Sequence, residues 1–218
     1  SKKLSIAIPA SVISDTPHLR EKTAKIGSIA RSAAIFRVNE IIVYSDDAHV
    51  DQRYDLGFIE LLLNYLETPQ YLRKALFKLD PDLQYAGILP PLRTPHHPSS
   101  GKAKHLKVGE YREGIVMSER KDGLVVDIGV QQSALLRQKQ FRVGERLTLQ
   151  VIKAGDNIEV QPVGRDEVPT YWGYTVRVEK RSLGQLLKSG EFDLKVATAR
   201  VGDSFLKVAG QMGERWAA

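Results

Sequence analysis

Leu89-Pro90-Pro91-Leu92-Arg93-Thr94-Pro95-His96-His97-Pro98 divides this chain. Four prolines in ten residues exclude a helix or a central strand, because each lacks an N–H donor and fixes its own φ. The residue before each proline is pushed toward extended geometry as well. The stretch therefore reads as a stiff, ordered, extended crossing. Before it the chain alternates strand and helix patterns; after it come short strands. Two roles stay open. It is a plain connector between two units, or it is a rigid backbone presenting Arg93, His96 and His97 to a phosphate-rich partner.

On its N-terminal side, residues 4–8 predict a first strand that stops at Pro9. Ser14-Asp15-Thr16-Pro17 offers a helix cap with proline near the first turn. From there to Phe36, Leu19, Ile26, Ile29, Ala30, Ala33 and Ala34 fall near helical spacing. Glu40-Ile41-Ile42-Val43-Tyr44 is a β-branched run of the kind found in buried parallel strands, ended by Ser45-Asp46-Asp47. Residues 58–66 predict a helix with a wide apolar face. Pro69 interrupts it, and a shorter helix follows over 71–77. Strand, helix, strand, helix is the start of an α/β layer.

On the C-terminal side, Ser99-Ser100-Gly101-Lys102-Ala103-Lys104 is small, polar and basic, and is expected to be mobile. Five short apolar or alternating runs come next, over 114–117, 123–129, 133–136, 145–152 and 157–162. Gly, Asp-Gly and Gly-Asp turns separate them, which is the rhythm of a small closed β-barrel. Their order resembles an S1-like OB-fold, a class that binds single-stranded nucleic acid through basic grooves and stacking aromatics. Tyr111 and Phe141 are the only aromatics there. Tyr171-Trp172-Gly173-Tyr174 then gathers three aromatics around a glycine, more readily a seal between two domains than a base-stacking platform. A helix over 183–188 closed by Gly190, a strand over 193–198 and a helix over 204–212 bring the α/β pattern back. Residues 1–90 and 166–218 are expected to form one discontinuous α/β domain, with 91–165 an inserted barrel.

The chain has no cysteine, which excludes disulfides, thiolate zinc sites and cysteine nucleophiles. No apolar run approaches the ~20 residues of a membrane span. Ser1-Lys2-Lys3 leads straight into the first strand, too short for a signal-peptide core. A cytoplasmic protein is expected. Net charge is +6, and its location matters more than its size. From Pro91 to Lys153 there are twelve basic and six acidic residues, while the rest of the chain holds twenty of each. Localised positive charge suits a polyanion binder, because counterion release drives affinity. A solvated lysine-rich surface is the plainer alternative. The five histidines lack the spacing of a helical metal pair, so no metal site is expected. There is no phosphate-cradling glycine loop and no nucleophile elbow. Arg31 follows an apolar helix face and precedes a strand, near the strand ends where α/β proteins bind ligands. A solvated helix-end arginine is its default role.

Several blocks carry a resemblance: Ile8-Pro9, Ile29-Ala30-Arg31-Ser32-Ala33-Ala34-Ile35-Phe36, Tyr65-Leu66-Glu67-Thr68-Pro69-Gln70-Tyr71-Leu72-Arg73-Lys74, the proline-rich run, and Tyr171-Trp172-Gly173-Tyr174. They resemble RNA methyltransferases of the SPOUT superfamily, in the archaeal and eukaryotic branch with an OB-like insertion. The resemblance implies an α/β knot domain with S-adenosylmethionine as methyl donor. It also implies structured RNA, rRNA first, as substrate, and a homodimer with its active site at the interface. By that resemblance Arg31 is catalytic or binds RNA phosphate, and Thr198 and Arg200 lie at a strand end leading to the cofactor loops. The RNA-binding residues expected are Arg73, Lys74, Arg93, His96, His97, Lys102, Lys104, Tyr111, Arg112 and Arg142. Two departures stand out. Phe36-Arg37-Val38 replaces the family's Phe-Gly-Val. The chain also stops at Trp216-Ala217-Ala218, where the family continues with a strand, a glycine-proline loop and a last helix. An α/β knot domain incomplete at its C-terminus, hence a fragment, is expected. A non-catalytic ribosome- or rRNA-associated protein of the same fold is the alternative, and a barrel that binds a protein partner is a third.

Overall fold

The computed structural model describes residues 3–98 and 101–212; Ser99-Ser100 and Trp216-Ala217-Ala218 lie outside the described residues. The first part contains β1 (Ser5–Pro9), α1 (Leu19–Ile35), β2 (Glu40–Tyr44), α2 (Arg53–Glu67) and α3 (Gln70–Leu76). The barrel strands are β3 (Tyr111–Arg120), β4 (Gly123–Asp127), β5 (Ala134–Leu136), β6 (Arg146–Lys153) and β7 (Glu159–Pro162). The chain ends with β8 (Thr175–Glu179), α4 (Leu183–Lys188) and α5 (Phe205–Met212).

Among the described residues the sheet has three parallel strands, ordered β1-β2-β8, with Ile6 opposite Ile41 and Ile41 opposite Val176. Central β2 buries Ile41, Ile42 and Val43, as its unbroken β-branched run demands. Ile26, Ala30 and Ala33 of α1 and Phe58, Ile59, Leu62, Leu63 and Leu66 of α2 build one core with it. The polypeptide leaves this core after Leu92 and rejoins it at Tyr174, just before β8. In between, five strands close a barrel in the order β3-β4-β5-β7-β6. Only β5 and β7 pair in parallel. Ten-residue β3 closes the ring because it is long enough to pair with β6 at one end and β4 at the other. Val116, Leu124, Val126, Leu136, Leu149 and Val160 fill the inside.

The proline-rich crossing is not extended throughout, as its prolines had suggested: residues 90–94 have no regular structure, and a turn follows in which His97 N–H donates to Thr94 O at 2.9 Å. Leu92, Thr94 and His96 are buried, whereas Pro91, Arg93 and Pro95 are exposed. Leu92 joins the α/β core, so the segment is anchored along its length. Three further expectations are corrected. First, α1 begins at Leu19 behind His18, and no side chain caps it; Asp15 instead accepts from Lys25 Nζ at 2.7 Å and from Thr16. Second, α2 starts at Arg53, well before the apolar run. Third, residues 193–198 form no strand, and most of their side chains are exposed. Asp193, Lys195 and Ala197 offer no apolar face to a neighbour, so propensity alone does not hold the segment in a sheet.

Arg37 occupies the position after α1 with φ of 53°. Val38 N–H donates to Ala33 O at 2.8 Å and Arg37 N–H to Ala34 O at 3.3 Å, the Schellman arrangement that favours glycine at this place. The turn keeps a glycine's geometry while carrying an arginine side chain. Replacing Arg37→Gly is expected to raise unfolding free energy by about 0.5–1 kcal/mol by relieving left-handed strain. Arg37→Ala should bring no such gain. Denaturant midpoints at unchanged m-value measure both.

Candidate nucleic-acid interface

The barrel meets the α/β layer through the outer face of β3 and β6. Along β3, Gly114 and Val116 point into the barrel, so Tyr111, Glu113 and Ile115 point out. Their cross-strand partners are Gln150, Thr148 and Arg146. On this face Arg146 donates from Nε to Glu113 Oε2 at 2.6 Å and from Nη1 to Glu67 Oε2 at 2.8 Å. Glu67, the last residue of α2, also accepts from Arg165 Nη2 at 2.6 Å. Glu113 accepts from Trp172 Nε1 at 2.6 Å and from Thr148 Oγ1 at 2.8 Å. Tyr71 of α3 donates its hydroxyl to Glu113 O at 2.6 Å. Two carboxylates therefore face two guanidiniums, and every carboxylate oxygen has a donor. Such pairing is what makes burial of the charges tolerable.

The histidines belong to the same junction. His96 and His97 each place Nε2 against Glu67 O, at 2.8 and 2.6 Å, and donate to that carbonyl from the ring N–H. His96 also lies 3.2 Å from Glu67 Oε1. Gly173 (φ +82°) closes the cluster: a Cβ on it would lie 2.5 Å from His96 Cε1 and 2.7 Å from Glu67 Oε1. Only glycine fits. The aromatic turn seals the two units, as its composition suggested. Tyr174 donates to Leu63 O at 3.0 Å, Tyr171 to Val38 O at 2.8 Å, and Trp172 is 6% exposed.

Several residues expected on the RNA-facing surface are thus turned inward. His96 is 1% exposed, and His97 is partly buried. Arg112 is 4% exposed because it shares the inward register of Gly114 and Val116, and it pairs with Glu110 at 2.7 Å. Arg73 donates to Thr68 O and Leu66 O and lies 4.6 Å over the Tyr65 ring, closing the end of α2. Tyr111 stands edge-on to Trp172 with ring centres 6.1 Å apart. These five serve the junction and the cores. Lys74, Arg93, Lys102, Lys104 and Arg142 are exposed. Lys102 and Lys104 flank a short turn that docks on the β4–β5 loop through Ala103 N–H to Gln131 Oε1 at 3.0 Å.

Arg31 is exposed on α1. Its neighbours Ile29 and Ser32 line an open apolar groove of about 540 Å³ beside edge strand β1, shared with Leu4, Ile6, Ile8 and Phe36. Thr198 and Arg200 are exposed in a stretch without regular structure. As described, they form no enclosed cradle and do not fit a bound cofactor. Among the described residues no group of three or more His, Asp or Glu is placed to hold a metal, and no helix is long and apolar enough to cross a membrane. Sequence reasoning missed Glu113, Arg146 and Arg165. Glu67 sat inside a quoted block but without a role. A charge at a strand centre, such as Glu113, was the one available hint.

Residues 3–216 match the family described as "Putative RNA methyltransferase". The chain belongs to that family. An uncharacterized protein of Halobacterium salinarum is 33% identical over 215 residues, covering 97% of this chain and 72% of the relative. A 28S rRNA (uridine-N(3))-methyltransferase of Drosophila melanogaster is 30% identical, over 94% of this chain and 47% of its own length. The human protein of the same name is 32% identical, over 80% of this chain and 51% of its own. The chain thus spans about half the length of these animal relatives.

In this family member the junction sets the response to pH and to mutation. Burial pushes the Glu67 carboxyl up, but His96, Arg146 and Arg165 outweigh it and hold the group far below the usual range of 4.5. Burial, with the His96 ring beside it, lowers His97 from 6.5 to about 4. Both folded values are depressed, so the stability they contribute is complete above the unfolded values and is lost as pH falls. His97 gives up on the order of 2–3 kcal/mol between pH 6.5 and about 4. His97→Gln should flatten the melting temperature over that window while keeping a donor for Glu67 O. Glu67→Gln removes the charge facing both guanidiniums and is expected to cost about 3 kcal/mol at pH 7, read by urea unfolding.

Proposed function

We propose that this protein grips structured RNA, rRNA above all, through the outside of its barrel. In the full protein that grip serves methyl transfer from S-adenosylmethionine. One observation carries the reading. Of the twelve basic residues between Pro91 and Lys153, only Arg112 and Arg146 are drawn inward; the other ten are exposed. The junction neutralises its own charges, so the surplus is left to the solvent side, where counterion release drives polyanion binding. Family membership and the names of the animal relatives support RNA as the polyanion and rRNA as its class. A barrel of this strand order fits the OB-like insertion of the SPOUT reading.

Arg93, Lys102, Lys104 and Arg142 position phosphates in this account, with Lys74 beside them. Arg31 acts nearer the chemistry, and a homodimer brings it to a partner's bound RNA. S-adenosylmethionine is the methyl donor the family chemistry calls for. Thr198 and Arg200, exposed as they are, do not make a pocket for it, and RNA binding is the part of the activity that the described surface supports.

Reversing the sign of Lys102, Lys104 and Arg142 together should weaken binding of an rRNA fragment by roughly 10- to 100-fold at moderate salt. It should also reduce the slope of log affinity against log salt by about 2–3. Anisotropy titrations across a salt series measure both, and unchanged affinity would sink the reading. The non-catalytic alternative keeps this grip and drops the transfer. Methyl incorporation into rRNA by the full-length protein, lost in Arg31→Ala with RNA affinity retained, separates the two.

A further inference from the structure

A polar cleft lies on the barrel; it takes Arg120 and Lys153 from the exposed cations counted above but none of Arg93, Lys102, Lys104 and Arg142. It has a volume of about 270 Å³ and sits between the β3–β4 turn and the β6–β7 turn. Val125, Ala134 and Leu135 make its apolar floor. Arg120 and Lys153 stand on its walls, with Ser133 and Asn157 between them. Arg120, Ser133 and Asn157 are exposed, and among the described residues their side chains have no hydrogen-bond partner. Three carboxylates share the lining. Glu159 is already held by Arg137, at 2.9 and 3.0 Å, with Lys153 at 3.7 Å. Asp122 and Asp156 are not so held.

We propose that this cleft seats one unpaired nucleotide of the bound RNA. The proposal rests on the RNA-binding reading and sharpens it. The volume falls just below the ~300–1,000 Å³ of drug-sized sites, which suits a single nucleotide better than a peptide segment. The place is the face over β4 and β5 between two turns, where five-stranded barrels of this order take oligonucleotides. Arg120 supplies the cation for a phosphate, and Ser133 and Asn157 supply groups that read a base edge or a ribose hydroxyl. A base edge is open to such reading only when the base is unpaired.

Two features narrow the choice of base. No aromatic side chain lines the cleft, so recognition runs through hydrogen bonds rather than stacking. Asp122 and Asp156 only accept, and two such acceptors favour a base bearing an exocyclic amine, as carboxylates do with cytosine. Uracil, which lacks the amine, is disfavoured. The seated nucleotide is therefore a neighbour that fixes register, and it is chemically distinct from a uridine target.

Anisotropy titration of the full chain with three labelled RNAs tests this: a hairpin with a five-cytidine loop, the same stem with a five-uridine loop, and the blunt duplex stem. The cytidine loop should bind about 5- to 10-fold tighter than the duplex, and the uridine loop should fall between them. Ser133→Ala combined with Asn157→Ala should bring the cytidine loop to the duplex value and leave duplex affinity within about twofold. Both side chains are exposed, so the melting temperature should not move. Equal binding of the three RNAs, or equal loss on all three in the double variant, would overturn the proposal while leaving RNA binding intact. Failure of the unmutated chain to bind any of them would overturn the RNA-binding reading itself.

Discussion

A single buried carboxylate, Glu67, holds the molecule together. It sits at the end of α2, 3% exposed, and takes donors from three separate parts of the chain: Arg146 in the barrel, Arg165 after it, and His96 in the proline-rich crossing. An unpaired charge at that depth is prohibitive, so the fold is viable only with all three segments in place. Glu113 answers from the barrel side, sharing Arg146 and adding Trp172. The barrel is consequently docked in a defined orientation and is not a bead on a flexible tether. The stiff crossing contributes by limiting the conformations the connection can adopt.

This arrangement sorts the cations of the inserted segment. Arg112 and Arg146 are spent on internal pairs, and the other ten remain on the outside. The burial of Trp172 and Tyr174 is the counterpart: aromatics that might have stacked on bases instead pack the junction. The barrel is left with a basic, aromatic-poor exterior. A surface of that composition favours contact with a polyanion by charge over base stacking.

The resemblance to RNA methyltransferases and the family match agree on the class of protein, and the animal relatives carry the name 28S rRNA (uridine-N(3))-methyltransferase. They do not say which residues matter. The inward placement of His96 follows from the turn that His97 N–H closes on Thr94 O, and that of Arg112 from strand alternation. Leu92 and Thr94 are buried on either side of exposed Arg93, and Arg112, Gly114 and Val116 share one side of a strand. A histidine pair that read as a phosphate clamp is part of the seal.

The order of elements was legible from residues 1–218 because it rests on local signals: β-branched runs, helical spacing, glycine turns and a proline cluster. Those signals act within a few residues of each other. They located the barrel, the return to α/β structure and the charge surplus. They placed a strand over 193–198 wrongly, since a lone extended stretch needs a neighbour that local propensity does not supply. The fate of individual charges was not legible. Glu67 meets partners 79 and 98 positions away, and no short-range pattern encodes such a pairing. Whether an arginine faced water or a buried carboxylate depended on how two closed layers came to rest against each other.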